Sequence, residues 1–225
     1  MNQKVSENFI ILALNPKSGN YMVIGNYLNY GLLGAVMMDL ALGGRISIEG
    51  KKISPDPSKG ITGITVHDRM YEQFLKSPSP KKISAWIRRL SFNARWYLRE
   101  MRNFLVNNGT LRKERKRFLF IPYSLHYVSD INRRMKLVLR LKEIILYNRE
   151  PDEAESMLLG LIYACKLHRA LSDNYEERRN IRKRLVKYMK ESPVASGVNQ
   201  SVMEIQAAIS ASIAASVAAT SAASH

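Results

Sequence analysis

The sequence predicts a mainly α-helical chain: a helix bundle around one buried apolar helix, with two short β-hairpins and amphipathic helices outside it. Three observations carry that class. The first is Gly31 to Leu42, GLLGAVMMDLAL, apolar around most of its circumference with Asp39 as its only charge. Such a helix is stable only when other elements cover it. The second is the return of apolar residues at three- and four-residue spacing along most of the remaining chain. The third is that strand-like stretches bounded by turn residues follow two helix-ending glycine sites, Gly43-Gly44 and Asn108-Gly109. With 225 residues and 46% apolar content, one sizeable core is within reach. A single domain over residues 9–223, after a short lead of residues 1–8, is the expected organisation.

Taken in order, Phe9 to Leu14 (FIILAL) is a short strand or the start of a helix, and Tyr21 to Ile24 is a candidate to pair back after the turn Asn15–Asn20. The core helix begins near Asn26 or Tyr27 and stops at Gly43-Gly44, where positive φ is cheap. Arg45 to Glu49 alternates, Glu49-Gly50 turns, and Lys51 to Ser54 returns. Val66 to Lys76 reads as a helix with Met70, Phe74 and Leu75 inward, broken by Ser77-Pro78-Ser79-Pro80. Lys82 to Asn107 is a long helical region with a kink expected near Ser91–Asn93. Trp86, Ile87, Leu90, Met101 and Leu105 form its apolar stripe, and arginines cover its other faces. Thr110 to Arg115 and Arg117 to Ile121 are read as a second hairpin with the basic run RKERKR at its tip. Asp130 and Asp152 are N-cap candidates for the next two helices. In the first of these Ile131, Met135, Val138 or Leu139 and Ile145 or Leu146 are expected inward. Asn174 to Lys190 is a charged amphipathic helix. The Ala/Ser-rich tail carries Val202, Ile205, Ile209, Ile213 and Val217 at helical spacing, which predicts a terminal helix docked on the bundle.

The charge balance of +16 points to an anionic partner. Cys165 is the only cysteine, so no internal disulfide and no cysteine metal site is expected. The start MNQKVSENF lacks a secretory pattern, and no run of about 20 apolar residues occurs. A cytoplasmic protein is the expectation. His67, His126, His168 and His225 are scattered, none at the spacing that puts two ligands on one helix face. No phosphate loop, dinucleotide fingerprint or nucleophile motif is present. The reading is therefore non-enzymatic, with no catalytic residue, metal or cofactor. Three basic features remain: the Arg88–Arg102 helix face with Arg95, Arg99 and Arg102; the hairpin residues Arg112, Lys113, Arg115, Lys116 and Arg117, followed by Phe118, Leu119 and Phe120; and Arg178 to Lys190, which reads as a solvated face. Each cation near an anionic leaflet contributes about 1 kcal/mol. Five less Glu114 give about 4 kcal/mol, which is millimolar binding, so an inserted side chain, a headgroup pocket or dimerisation is also required. The alternative is a winged-helix-like nucleic-acid-binding protein that uses the same basic helix and hairpin.

The ordered motifs GLLGAVMMDLALGGRISIEGKK, Trp86-Ile87 with Leu90-Ser91, LVNNGTL before FLF, and LLGLIYACKLHRAL resemble the Golgi phosphoprotein 3 family, from about Phe9 to Ala223. The resemblance implies an all-helical domain around a buried bundle that is peripherally membrane-associated and binds anionic phospholipid, phosphatidylinositol 4-phosphate above all. It also implies an adaptor role toward cytosolic tails of membrane proteins, and self-association or membrane contact through the 110–121 hairpin. The family's headgroup site places a Trp before the core helix, an Arg in Gly-Leu-Arg-Gly, and two Arg three apart on a later helix. Here those positions read Ile24, Leu33, Arg95 and Leu98. Only Arg95 is retained, and Arg99 and Arg102, one and two turns on, are the candidates to supplement it. The short lead before the domain matches bacterial or divergent members.

Overall fold

The structure, a computed structural model, describes residues 4–23, 25–191 and 200–222; Ile24 and residues 192–199 lie outside them. Among the described residues the chain forms nine α-helices and two small antiparallel sheets. The predicted core helix is α2 (Asn26–Leu42), and every residue from Gly31 to Met38 is buried. It packs against α1 (Val5–Ala13), α3 (Thr65–Leu75), α4 (Ile83–Ser91), α5 (Ala94–Asn107), α7 (Glu153–Ala164) and α9 (Gln200–Ala222). Its glycines serve close approach rather than a turn. A Cβ on Gly34 would meet Ile209 Cδ1 at 1.9 Å, and one on Gly31 would meet the Phe9 ring at 2.3 Å. The predicted docking of the terminal helix is present: Ile205, Ile209 and Ile213 are buried and α9 lies on α2, α4 and α7. The side chains of Val202 and Val217 lie outside the described residues.

FIILAL is helical, and α1 starts at Val5, four residues before Phe9. The stretch from Phe9 to Leu14 is fully buried, with α2, α6 and α7 among its neighbours, so no polar face marks a period. Tyr21 makes only an isolated bridge to Leu14. The first hairpin pairs β1 (Ile46–Glu49) with β2 (Lys52–Pro55), Ile48 opposite Ile53, around Gly50-Lys51, and β3 (Lys81–Lys82) adds a third strand. The expected kink is a break: α4 ends at Ser91 and α5 begins at Ala94. Leu75 is 40% exposed, and Val66, Met70, Tyr71 and Phe74 form the buried face of α3. In α6 (Ile131–Tyr147), Asp130 accepts from the Arg133 N–H as an N-cap. Ile131 and Met135, expected inward, are exposed; of the alternatives, Val138 packs on the core while Leu139 is exposed, and Ile145 is buried beside Leu141 and Ile144. Asp152 and Glu155 form a capping box on α7. A 3-10 segment (Leu167–Leu171) leads to α8 (Tyr175–Glu191).

The second hairpin departs most from its predicted form. Strand β4 (Leu111–Phe118) pairs in register with β5 (Ile121–Val128), from Leu111 opposite Val128 to Phe118 opposite Ile121. The connection is Leu119-Phe120. The basic run therefore forms the body of a strand, and the tip is apolar. The register follows from burial at the other end. Leu111, His126, Tyr127 and Val128 are buried at the base, which fixes where the strands start, and the pairing then runs until Phe118.

Candidate functional site

The hairpin is an arm. Its tip residue Phe118 stands seven residues beyond Leu111, about 23 Å at 3.3 Å per residue. The base is seated on the loop after α1. Gly19, at φ 68°, lies against the Tyr127 ring and the His126 carbonyl; a Cβ there would meet Tyr127 at 2.9 Å. Arg112 stacks on Tyr127, 4.7 Å from the ring centroid.

Strand alternation sorts the charges. Lys113, Arg115 and Arg117 share one face, all exposed. Arg112, Glu114 and Lys116 share the other, where Glu114 pairs with both cations. Beyond this band the tip exposes Phe118 (69%), Leu119 (76%), Phe120 (99%) and Ile121 (69%). A contiguous apolar tip of this kind marks an interaction surface. Leu119 is held at φ 45°, the left-handed region that the first residue of a two-residue hairpin turn requires and that glycine normally fills. The chain keeps a strained leucine at a nearly free tip, where glycine would fit better for stability.

Of the helix candidates, Arg95, Arg99 and Arg102 lie on one face of α5, within about 60° of arc at 100° per residue. Their surroundings differ. Arg95 is exposed. Arg99 pairs with Glu100 at 2.9 Å. Arg102 is half-buried, and its Nε has no hydrogen-bond partner. Arg102 sits at the hairpin base, close enough to act on Tyr21 and His126. Burial pushes the Tyr21 hydroxyl up to about 12, against the opposing pull of Arg102. Burial, then the charges of Arg102 and Lys113, push His126 down to about 4. His126 is therefore neutral at pH 7, and the hairpin base carries cations without an added imidazolium. None of the three α5 arginines lines either of the two wide clefts, one beside Arg133 and Arg140 and one beside His168. Of the other positions singled out by the resemblance, Leu33 is fully buried, Leu98 packs on the core, and Ile24 lies outside the described residues.

A serine, a histidine and an aspartate do meet in the core. Asp39 accepts from the backbone N–H of Val5 (2.7 Å) and Ser6 (3.1 Å), from the Ser6 hydroxyl, and from His67 Nε2 (3.0 Å). A hydrolytic triad divides the two ring nitrogens between serine and carboxylate. Here Nε2 faces both, at 3.5 Å from Ser6 Oγ, and Nδ1 is buried without a partner. The geometry suits a carboxylate that caps a helix start, not one that activates a nucleophile. The described residues contain no group of three or more His, Cys, Asp or Glu placed to hold a metal ion. No helix among them is long and apolar enough to cross a membrane.

The tip at Phe118–Ile121 was missed by sequence reading because no Gly, Asn or Asp marks the turn. A partial signal was present in Pro122, which supplies no N–H and suits the start of a strand.

Comparison with known proteins agrees with this architecture. The family model described as Golgi phosphoprotein 3 (GPP34) matches residues 5–205. Vacuolar protein sorting-associated protein 74 of Eremothecium gossypii is 24% identical over 159 residues, covering 62% of this chain and 48% of that protein. The chain thus spans about half the length of this curated relative.

Proposed function

The chain belongs to the Golgi phosphoprotein 3 family, and on that premise we propose that it is a peripheral membrane protein that binds anionic phospholipid through the β4–β5 hairpin and the arginine face of α5. The observation that carries the reading is the order of chemistry along the hairpin: a buried base, a band of five cations, then four exposed apolar side chains. That order matches a bilayer met end-on, with headgroup charge above and hydrocarbon below. The cations contribute about 4 kcal/mol at a charged leaflet. Full burial of a Phe, Leu or Ile side chain is worth about 1.5–3 kcal/mol, and the tip exposes the equivalent of about three. Insertion therefore adds roughly 5–9 kcal/mol before the cost of immobilisation. Charge and insertion together reach micromolar binding or tighter, whereas charge alone does not. An adaptor role toward cytosolic tails of membrane proteins, and self-association through the same hairpin, are compatible roles for an arm held at a membrane. Phosphoinositides are included among the ligands as bearers of dense negative charge.

Vesicle co-sedimentation tests the reading, with phosphatidylserine-containing and pure phosphatidylcholine vesicles and duplex DNA as competitor. The expected result is binding to the anionic vesicles that the duplex does not abolish. Phe118→Ser with Phe120→Ser removes about 3–5 kcal/mol and should lower the partition coefficient at least 100-fold. Lys183→Glu on α8 should have little effect beyond its charge. Absence of binding to any anionic vesicle would sink the proposal. Displacement by equimolar duplex would favour the nucleic-acid reading.

A further inference from the structure

We propose a second lipid site away from the hairpin: the cleft walled by the end of α7, the 3-10 segment, α8 and α9 takes one anionic phospholipid molecule, its phosphate on Lys166, Arg169 and Arg182 and an acyl chain along Leu185, Ile213 and Ala214. This goes beyond the hairpin reading and does not rest on it. The cleft has a volume of about 1000 Å³, at the upper end of the range for ligand sites.

Its walls differ in chemistry. The α7 end, the 3-10 segment and α8 contribute Lys166, His168, Arg169 and Arg182. The α9 wall contributes Ser210, Ile213, Ala214 and Ala218, with no charge at all. Small residues there leave room for a chain to lie close to the helix.

Among the described residues no carboxylate lies within ion-pair distance of Lys166, Arg169, Arg178 or Arg182. Lys166 instead rests over the Tyr27 ring at 5.3 Å, and Arg178 over Tyr175 at 5.9 Å. On α6, which packs on α8, Arg140 by contrast pairs with Glu155 and Lys142 with Glu177. His168, half-buried in the middle of this cluster, registers the field. Burial holds its pKa below the usual imidazole value, and Arg182, Arg169, Arg178 and Lys166 lower it further. Like charges gathered this closely repel one another, and a phosphate held by several charge-assisted donors relieves that repulsion. A free phosphate would use only the cationic wall. An anionic lipid uses both walls.

Isothermal titration of the full chain without vesicles tests this, with three probes below their micellar concentrations where one applies: oleoyl lysophosphatidic acid, oleoyl lysophosphatidylcholine and inorganic phosphate. The expected result is one lysophosphatidic acid per chain, bound at least tenfold tighter than the zwitterionic lipid and not displaced by equimolar phosphate. Ala214→Trp, at an exposed position, should block the apolar wall and abolish binding with the circular dichroism unchanged. Arg169→Gln with Arg182→Gln should weaken it at least tenfold. Phe118→Ser with Phe120→Ser should leave it intact, which separates this site from the hairpin. Equal binding of the two lysolipids, full displacement by equimolar phosphate, or wild-type binding by a folded Ala214→Trp protein would each overturn the assignment.

Discussion

Replacing Asp39 by alanine should cost the fold more than any other single change at a charged position. Asp39 is the one charge in α2, and its side chain is 3% exposed. Helix α1 begins at Val5 without a side-chain cap of its own. The Asp39 carboxylate supplies that cap from another helix, accepting the first two N–H groups of α1. Those groups are otherwise orphaned at a helix start, and a negative charge beside them is further favoured by the helix dipole. The Ser6 hydroxyl and His67 Nε2 complete the set. Alanine strands four donors in a dry site. Each unsatisfied buried donor costs about 1–3 kcal/mol, less than additively when the donors share one acceptor, so the expected loss is about 4 kcal/mol. Asparagine keeps one acceptor oxygen but turns an amide toward the donors, and about 2 kcal/mol is expected. For a chain of this size each kcal/mol moves Tm by about 2–4 °C. Alanine should therefore lower Tm by about 8–16 °C, asparagine by about half that, and Ser6→Ala by about 2–4 °C. Urea unfolding with hydrogen exchange at Val5 and Ser6 measures both the loss and its location. A loss under about 1 kcal/mol for alanine, or unchanged exchange at those two amides, would refute the capping argument.

Leu119→Gly should separate stability from binding: it relieves a positive-φ leucine, so Tm should hold or rise, while the loss of an inserted side chain should weaken sedimentation with anionic vesicles about tenfold or more. Titration of His126 should make stability depend on pH. Its folded pKa of about 4 lies below the unfolded value of about 6.5, so as pH falls through that window only the unfolded chain takes up the proton. Stability is then lost progressively between about pH 6.5 and 4, by about 2 kcal/mol after allowing for solvent screening, and His126→Gln should flatten the profile measured by urea unfolding at pH 7.5 and 4.5.

What the sequence made legible was set by whether one face of an element meets water. The α2 core, the first hairpin (its turn one residue on from Glu49-Gly50, at Gly50-Lys51), the α4–α5 break and the Asp130 and Asp152 caps all had local signals that the fold honours. FIILAL had none, because burial on every side erases the polar face that separates a helix from a strand. The first half of the α6 stripe was misplaced for a related reason. Ile131, Met135 and Leu139 make a regular apolar row, but the face toward the core is centred on Leu141, Ile144 and Ile145. It also takes in the buried Arg134, whose guanidinium donates to the Ala170 carbonyl. In the second hairpin, alternation of charge with charge carries no information about which face is buried, so register was decided at a base the sequence does not advertise. The α5 arginines were readable as one face because they share a helix. The basic cleft was readable only in part: Arg178 to Lys190 stood out as a basic run and read as a solvated face, while Lys166, Arg169 and Ala214, which join Arg182 there, come from other segments.

The buried state of Leu33 bears on what kind of lipid selectivity this chain can have. At the family's headgroup positions it presents Leu33 with no exposed surface, Leu98 packed on the core, and a single exposed arginine, Arg95. One guanidinium cannot fix the position of a phosphate on an inositol ring, since stereochemical choice needs several donors held in fixed geometry. The cations that remain near the proposed membrane contact are on the hairpin, and Lys113, Arg115 and Arg117 are exposed, flexible charges on one face of a strand. Such charges respond to the surface density of anions and are screened by salt over about 8–10 Å. Binding to phosphatidylinositol 3-, 4- and 5-phosphate in matched vesicles should therefore agree within about threefold, and phosphatidylserine should substitute at equal charge. Raising salt from 0.1 to 0.5 M should weaken all of them together while the tip contribution persists. A preference above about tenfold for one isomer, unchanged by salt, would mean that Arg95, Arg99 and Arg102 assemble a true headgroup pocket when lipid is bound. Arg95→Gln would then abolish that preference, whereas on the charge-density reading it lowers binding to every anionic lipid by the same small factor.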